Sequence, residues 1–196
     1  YEFGANLPKG RQQGMAQVGA QLAQLEDTLP AMVIDALRGQ LQRVQALSDD
    51  IEDIERKLAL WKKEDAAAKR LIAIPGVGLL TATAAVATIG DAKVFKNGRQ
   101  FAAFLGLVPR QAGTGGKVRL FGISKRGDTY LRKLLIHGAR SVITHQKARA
   151  PWLEQLLARR PFNAAVVALA NKMARTIWAL LAHDRTYQNG VTAQAA

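Results

Sequence analysis

The apolar residues Leu37, Leu41, Val44, Leu47, Ile51, Ile54, Leu58 and Trp61 step along the chain by 4, 3, 3, 4, 3, 4 and 3. Only an α-helix returns side chains to one face at that interval, so residues 31–70 are predicted as one long coiled-coil-like helix. From Val44 onward the steps form a heptad seam with charges between the apolar positions. Such a seam packs on another helix or on a second copy of the chain, and a homo-oligomer is expected through it. The carboxylates Asp49, Asp50, Glu52, Asp53 and Glu55 fall mostly off the stripe, and Arg56, Lys57, Lys62 and Lys63 follow at helical pairing distance. A solvated, self-paired face accounts for these acids without a metal ion.

Around this helix the chain is uneven. Residues 1–30 are rich in Gly and Gln with weak apolar spacing and read as a connector, with Pro30 breaking two helical pieces. The longest uncharged stretch, Leu71 to Gly90, has twenty residues and is nominally long enough to span a bilayer. Pro75, Gly76 and Gly78 interrupt it near its start and leave a helix of about 12 residues, so no membrane span is expected. No signal peptide is recognisable, and the absence of cysteine fits a reducing compartment, with the cytoplasm as the expected location. The chain opens at Tyr1 without Met, which suggests a piece of a longer protein.

Charge sorts the chain more sharply. Between Ala92 and Arg160 stand 15 Lys or Arg residues against two acids, Asp128 and Glu154, which equals the net charge of the whole chain, +13. The excess is one surface, and its natural partner is a polyanion such as DNA.

Within the domain expected over residues 71–187, the run Ile74-Pro75-Gly76-Val77-Gly78 stops one helix and starts another. The free amides of such a restart suit a phosphate, as in a helix-hairpin-helix; a plain tight turn between packed helices is the alternative. Phe95, Phe101, Phe104, Leu105 and Leu107 are spaced like a core face of a short helix ending at Gly106. From Gln111 to Gly127 regular periodicity gives way to Gly113, Gly115, Gly116, Gly122 and Gly127 among Lys117, Arg119, Lys125 and Arg126. This reads as a Gly/Lys/Arg-rich loop or small ribbon that brings backbone close to a ligand. Asp128 caps the next helix, with Leu131, Leu134, Leu135, Gly138 and Val142 on one face and Arg132, Lys133 and Arg140 on the rest. Pro151 opens a further helix, a last one runs from about Asn163 to His183, and residues 188–196 form a frayed tail. The fold class is mainly α.

The chemistry on offer is limited. A nuclease bearing its own metal needs several convergent carboxylates, and the basic region has two, of which Asp128 is a cap. His137, His145 and His183 are too few and too scattered for zinc, and Ser141 with His145 lacks an orienting acid. The better nucleophile candidates are Thr114 and Ser124, hydroxyls in flexible cationic segments, where Lys117, Arg119, Lys125 and Arg126 supply charge for a pentavalent phosphorus. Either hydroxyl also serves simply as a phosphate hydrogen-bond donor. Gly76, Gly78, Arg110, Arg132 and Lys133 complete the expected nucleic-acid contacts.

Four spaced elements, the IPGVG run at 74–78, FAAFLGLVPR at 101–110, TGGK at 114–117 and ISKRGD at 123–128 with the following YLR, resemble the C-terminal transposase domain of the insertion-sequence 110/1111 group, relatives of the Piv invertase. The resemblance covers Leu71 to about Arg140. It implies a DNA recombinase in which a RuvC-like N-terminal domain holds magnesium through an acidic tetrad and this domain supplies a nucleophilic serine. Some members are guided by a structured RNA. No cofactor is implied for the present residues, and the acidic domain is not among them. The position matching the serine is Thr114, and the residue one place earlier, a serine in some relatives, is Gly113. Threonine keeps the hydroxyl and adds a methyl that crowds in-line attack. Ser124 falls in the family's Ser-Lys-x-Gly element, which implies backbone binding first.

Overall fold

The computed structural model describes residues 4, 6–114, 117–146 and 149–188. Among them the chain is mainly α, with eight α-helices and one two-stranded antiparallel sheet. It divides into two compact units, Tyr1–Lys57 and Leu58–Ala196.

The first unit holds α1, Arg11–Gln24, and most of α2, Ala31–Glu64. Pro30 ends the linking turn, as its fixed φ favours at a helix start, and Leu22 and Ile34 are its buried anchors. Arg38 pairs with Glu26, and Arg11 Nη2 donates to Ser48 Oγ at 2.6 Å. The acids of α2 behave as a solvated face: Lys57 Nζ lies 2.6 Å from Asp53. Its hydrogen bond and charge hold the Asp53 carboxyl below the usual range, and Asp53 raises the lysine in return. The seam positions Val44, Leu47, Ile51 and Ile54 are 42, 61, 48 and 54% exposed.

The long helix stops six residues earlier than its apolar pattern predicts. Asp65 leaves the helical region and its carboxylate accepts from Ala68 N at 2.6 Å, so it caps a new helix, α3, Ala66–Ile72. A capping carboxylate satisfies an amide that a continuous helix would have bonded internally, and the turn redirects Ala68 and Leu71 into the core of the second unit.

That second unit is built on α8, Phe162–Ala182, which packs against α3, α5, α6 and α7. By length and composition α8 is the one described helix apolar enough to cross a membrane. Its Ala165, Val166, Leu169, Ala170, Met173, Ala174, Ile177 and Leu180 are buried among neighbouring helices, as in the core helix of a globular domain. The uncharged stretch is broken as its glycines predict: α4 is Leu79–Ile89, eleven residues. A 3₁₀ turn at Ala92–Val94 leads to α5, Gly98–Phe104, where Asn97 caps Gln100 N at 3.0 Å. Phe101 is fully buried and meets the half-buried Phe95 edge-on with centroids 5.2 Å apart, whereas Phe104, expected on the same core face, is 42% exposed.

After α5 the chain leaves the helical layer. Strands β1, Pro109–Thr114, and β2, Lys117–Ile123, pair antiparallel, with Gln111 opposite Leu120, Ala112 opposite Arg119, Gly113 opposite Val118 and Thr114 opposite Lys117. Helix α6, Thr129–His145, brings the chain back to the core, α7 covers Pro151–Arg159, and α8 closes the unit. The buried face of α6 is Leu131, Leu135, Ala139 and Ile143, a strict i, i+4 line. Of the expected face, Leu131 and Leu135 are buried and Leu134, Gly138 and Val142 half-buried, with Gly138 and Val142 also meeting the turn before α4. The predicted frayed tail lies, from Asn189 onward, outside the described residues.

Candidate nucleic-acid interface

The two strands form a ribbon exposed along almost its whole length; of residues 109–113 and 117–123 only Ile123 is half-buried. Sequence reading finds no periodicity here, yet Lys117 to Phe121 alternate strictly: Lys117, Arg119 and Phe121 take one face, Val118 and Leu120 the other. Val118, Leu120 and Phe121 are 66, 64 and 45% exposed. A register irregularity between Pro109 and Gln111 sets Arg110 against Phe121, with the guanidinium carbon 5.2 Å from the ring centroid. The ribbon thus gathers Arg110, Lys117 and Arg119. Thr114 lies at its end, its backbone paired with Lys117; the Thr114 side chain, Gly115 and Gly116 are outside the described residues.

The base of the ribbon is held by backbone approaching backbone. Gly106 and Gly127 both have positive φ, +68° and +73°. A Cβ on Gly106 would stand 2.3 Å from Arg126 O, and one on Gly127 would stand 1.7 Å from Phe104 O. Only glycine permits that contact. Lys125 adopts φ +57° and donates its amide to Gly106 O at 3.2 Å, and Ser124 N donates to Val108 O at 2.9 Å. Ser124 is half-buried in this junction, while the Lys125 and Arg126 side chains are exposed. Behind β1, Asn171 Nδ2 donates to Leu107 O at 3.1 Å and ties the ribbon to α8.

Arg132 does not join the exposed cations. It is 7% exposed, and its Nη1 donates to Leu105 O at 3.0 Å and Arg126 O at 2.9 Å, while Nη2 donates to Thr129 Oγ1 at 3.0 Å. These bonds turn the guanidinium inward onto protein carbonyls, and its burial keeps it from an external phosphate. Its neighbour Lys133 is exposed on α6, as expected, and Asp128 caps α6 through Leu131 N at 2.7 Å.

Gly76 also differs from its expected part. Its φ is +83°, and a Cβ there would stand 2.7 Å from Gly138 O, while a Cβ on Gly138 would stand 2.0 Å from Gly76 O. The turn is pressed onto α6 by two facing glycines, which is the packing alternative. Gly78 alone is open: it precedes α4 with no side-chain cap and nothing near its Cβ position. Because Gly138 is nine residues into α6, about 14 Å along the helix from its first residue, the turn and the ribbon lie at different levels of α6.

Two cation and aromatic pairs escaped sequence reading because their partners are distant in the chain. Arg140 lies 5.9 Å over Phe162 and donates to Asn163 Oδ1 at 3.2 Å; Lys172 lies 4.3 Å over Trp152. Desolvation, and then the charge of Arg175, lower the Lys172 ammonium below its ordinary range. Among the described residues no group of three or more His, Cys, Asp or Glu side chains is placed to hold a metal ion.

The fold is therefore a helical domain that displays a cation-bearing β-ribbon. Residues 68–153 match the profile described as the transposase IS116/IS110/IS902 family. The chain belongs to that family. It is 48% identical over 194 residues to the "Probable family 20 transposase" of Pseudomonas aeruginosa, covering 96% of the chain and 57% of the relative. It is 49% identical over 144 residues to the transposase for insertion sequence element IS1111A of Coxiella burnetii, covering 71% of the chain and 40% of the relative. The transposase for insertion sequence element IS1328 of Yersinia enterocolitica is 41% identical over 183 residues, covering 90% and 53%. The chain spans about half the length of the curated relatives it matches.

Proposed function

We propose that the chain is the DNA-binding and strand-exchange half of an insertion-sequence transposase. The observation that carries this reading is the ribbon, which joins the position matching the family's nucleophile, Thr114, to a surface of Arg110, Lys117, Arg119, Lys125 and Arg126. No acid occurs from Ala92 to Gly127, so a phosphodiester approaching this surface meets no opposing carboxylate from that stretch. In the proposed step the Thr114 hydroxyl gives up its proton as its oxygen bonds to phosphorus, the bond to the departing deoxyribose oxygen breaks, and that oxygen takes up a proton in exchange. The product is a phosphothreonine joined to one DNA end. The ribbon cations stabilise the charge that gathers on the pentavalent phosphorus. Magnesium would belong to a RuvC-like domain of the family, and among the described residues no cluster of His, Cys, Asp or Glu is placed to hold a metal ion, so no step is routed through one. A guide RNA would bind as a second polyanion.

The test is Thr114→Ala in a transposase of full relative length that carries this chain, assayed for recombination and for a covalent protein–DNA adduct. Loss of both by at least about 100-fold is expected for a nucleophile. Normal recombination, or an adduct that maps to Ser124, refutes the assignment. The replacement of serine by Thr114, next to Gly113, favours one other reading, a binding and oligomerisation module without chemistry. In that case DNA affinity would be strongly salt-dependent and indifferent to Thr114.

A further inference from the structure

The ribbon exposes two faces, and the cations explain only one of them. Val118 and Leu120 share the opposite face with Gln111 and Gly113, and both apolar side chains are about two-thirds exposed, at 66 and 64%. A two-stranded ribbon with neither face covered is marginal in water, so this shape calls for a partner that surrounds it. From the DNA-binding reading above, on which this rests, we infer that the ribbon is an arm that enters the minor groove of duplex DNA and is contacted on both faces at once.

Three features select that occupant. The first is charge: the arm carries Arg110, Lys117 and Arg119 and its base Lys125 and Arg126, with no acid from Ala92 to Gly127, so the partner is anionic. The second is chemistry. Minor-groove walls are deoxyribose rings, apolar surfaces edged by phosphates, and β2 alternates cations with apolar side chains at the matching two-residue period; apolar side chains entering this groove also wedge between base steps. The third is thickness. The outer half of β1 begins with Ala112 and Gly113, and a Cβ on Gly113 would stand 2.6 Å from Lys117 O, so the arm carries little side-chain bulk at these two positions.

A second copy of the chain fits less well. Two ribbons joined by their apolar faces would cover only Val118 and Leu120 of each copy, and two side chains per copy bury far less than the roughly 1,200 Å² of a stable interface.

The experiment titrates the 196-residue chain with a duplex of about 25 base pairs, rich in A·T, across a salt series. Val118→Thr with Leu120→Thr keeps β propensity and should weaken binding about tenfold without changing the salt slope, whereas Arg119→Ala should lower the slope by about one. Netropsin, a minor-groove ligand, should compete. Replacing A·T by inosine·cytosine pairs, which alters the major-groove pattern and keeps the minor-groove one, should leave affinity unchanged. The inference is overturned if the double variant binds DNA normally, including the case in which its mass in solution falls. It is also overturned if the inosine duplex binds poorly while netropsin has no effect. The unmodified chain showing no salt-dependent duplex binding would bring down the DNA reading itself, a result distinct from either.

Discussion

Replacing Arg132 by Met tests whether this buried guanidinium is a structural tie. The substitution keeps the length of the apolar stem and removes donors to Leu105 O, Arg126 O and Thr129 Oγ1, at 3.0, 2.9 and 3.0 Å. Leu105 is fully buried, and its carbonyl would lose a charge-assisted partner that water reaches poorly. An acceptor stranded in that way costs about 1–3 kcal/mol. The Arg126 carbonyl sits against Gly106 in a part-buried bond, and losing its partner adds about 1 kcal/mol. A total of about 2–4 kcal/mol corresponds to a fall of about 6–12 °C in the melting midpoint for a unit of this size. Urea unfolding gives the free energy, and amide exchange at Gln111 and Leu120 reports the ribbon. Exchange there should accelerate more than at α8, since the lost bonds join the two ends of the ribbon. Lys133→Met, one residue on and exposed, should change stability by less than about 0.5 kcal/mol. Equal effects of the two substitutions, or a cost below about 1 kcal/mol for Arg132→Met, would refute the reasoning.

Two further outcomes follow from the same geometry. Gly138→Ala places a methyl 2.0 Å from Gly76 O and should cost more than about 2 kcal/mol in urea unfolding, whereas Gly39→Ala, in α2 with open space around it, should stabilise by about 0.5–1 kcal/mol. If both alanines prove neutral, the close approach of the turn to α6 is wrong. Leu47→Lys with Ile54→Lys breaks the exposed seam and should weaken self-association by at least about 100-fold, measured as mass in solution against concentration. A wild-type chain that is already monomeric at high concentration would remove the seam from the oligomer argument.

Elements governed by local periodicity were legible in the sequence. The 3–4 stepping located α2, and the break at Pro75 and Gly78, the cap at Asp128, the helix start at Pro151 and the apolar stripe of α8 all fall where the sequence puts them. What spacing does not encode is competition between partners. Asp65 is an ordinary helix residue until its carboxylate is compared with an internal carbonyl as partner for an amide. Arg132 looks like one cation among several until the carbonyls of Leu105 and Arg126, from other parts of the chain, are brought to it. The same applies to Gly76 and Gly138: 62 residues apart, each is a conformational signal alone, and their mutual contact exists only in three dimensions. The ribbon is the reverse case. Its alternation was present from Lys117 to Phe121 but short and set among glycines, and a two-residue period over five positions is weak against the expectation of a loop.

Helix α6 joins these observations. Its first turn, through Asp128 and Arg132, fixes the ribbon; its middle, through Gly138, seats the turn before α4; its buried line of Leu131, Leu135, Ala139 and Ile143 faces the core with α8. The exposed cations of the ribbon and its base are therefore carried on backbone that α6 and α8 hold rigidly, while the ribbon itself stays open on both faces. That division has an energetic logic. Acid-free, like-charged surface repels itself and adds nothing to folding, so the helical core must supply the stability that the displayed arm lacks. On the proposed DNA-binding reading, neutralising the arm's cations should leave the melting midpoint unchanged and lower the affinity for duplex DNA. The reverse holds for Gly138 and Arg132, which sit in the frame.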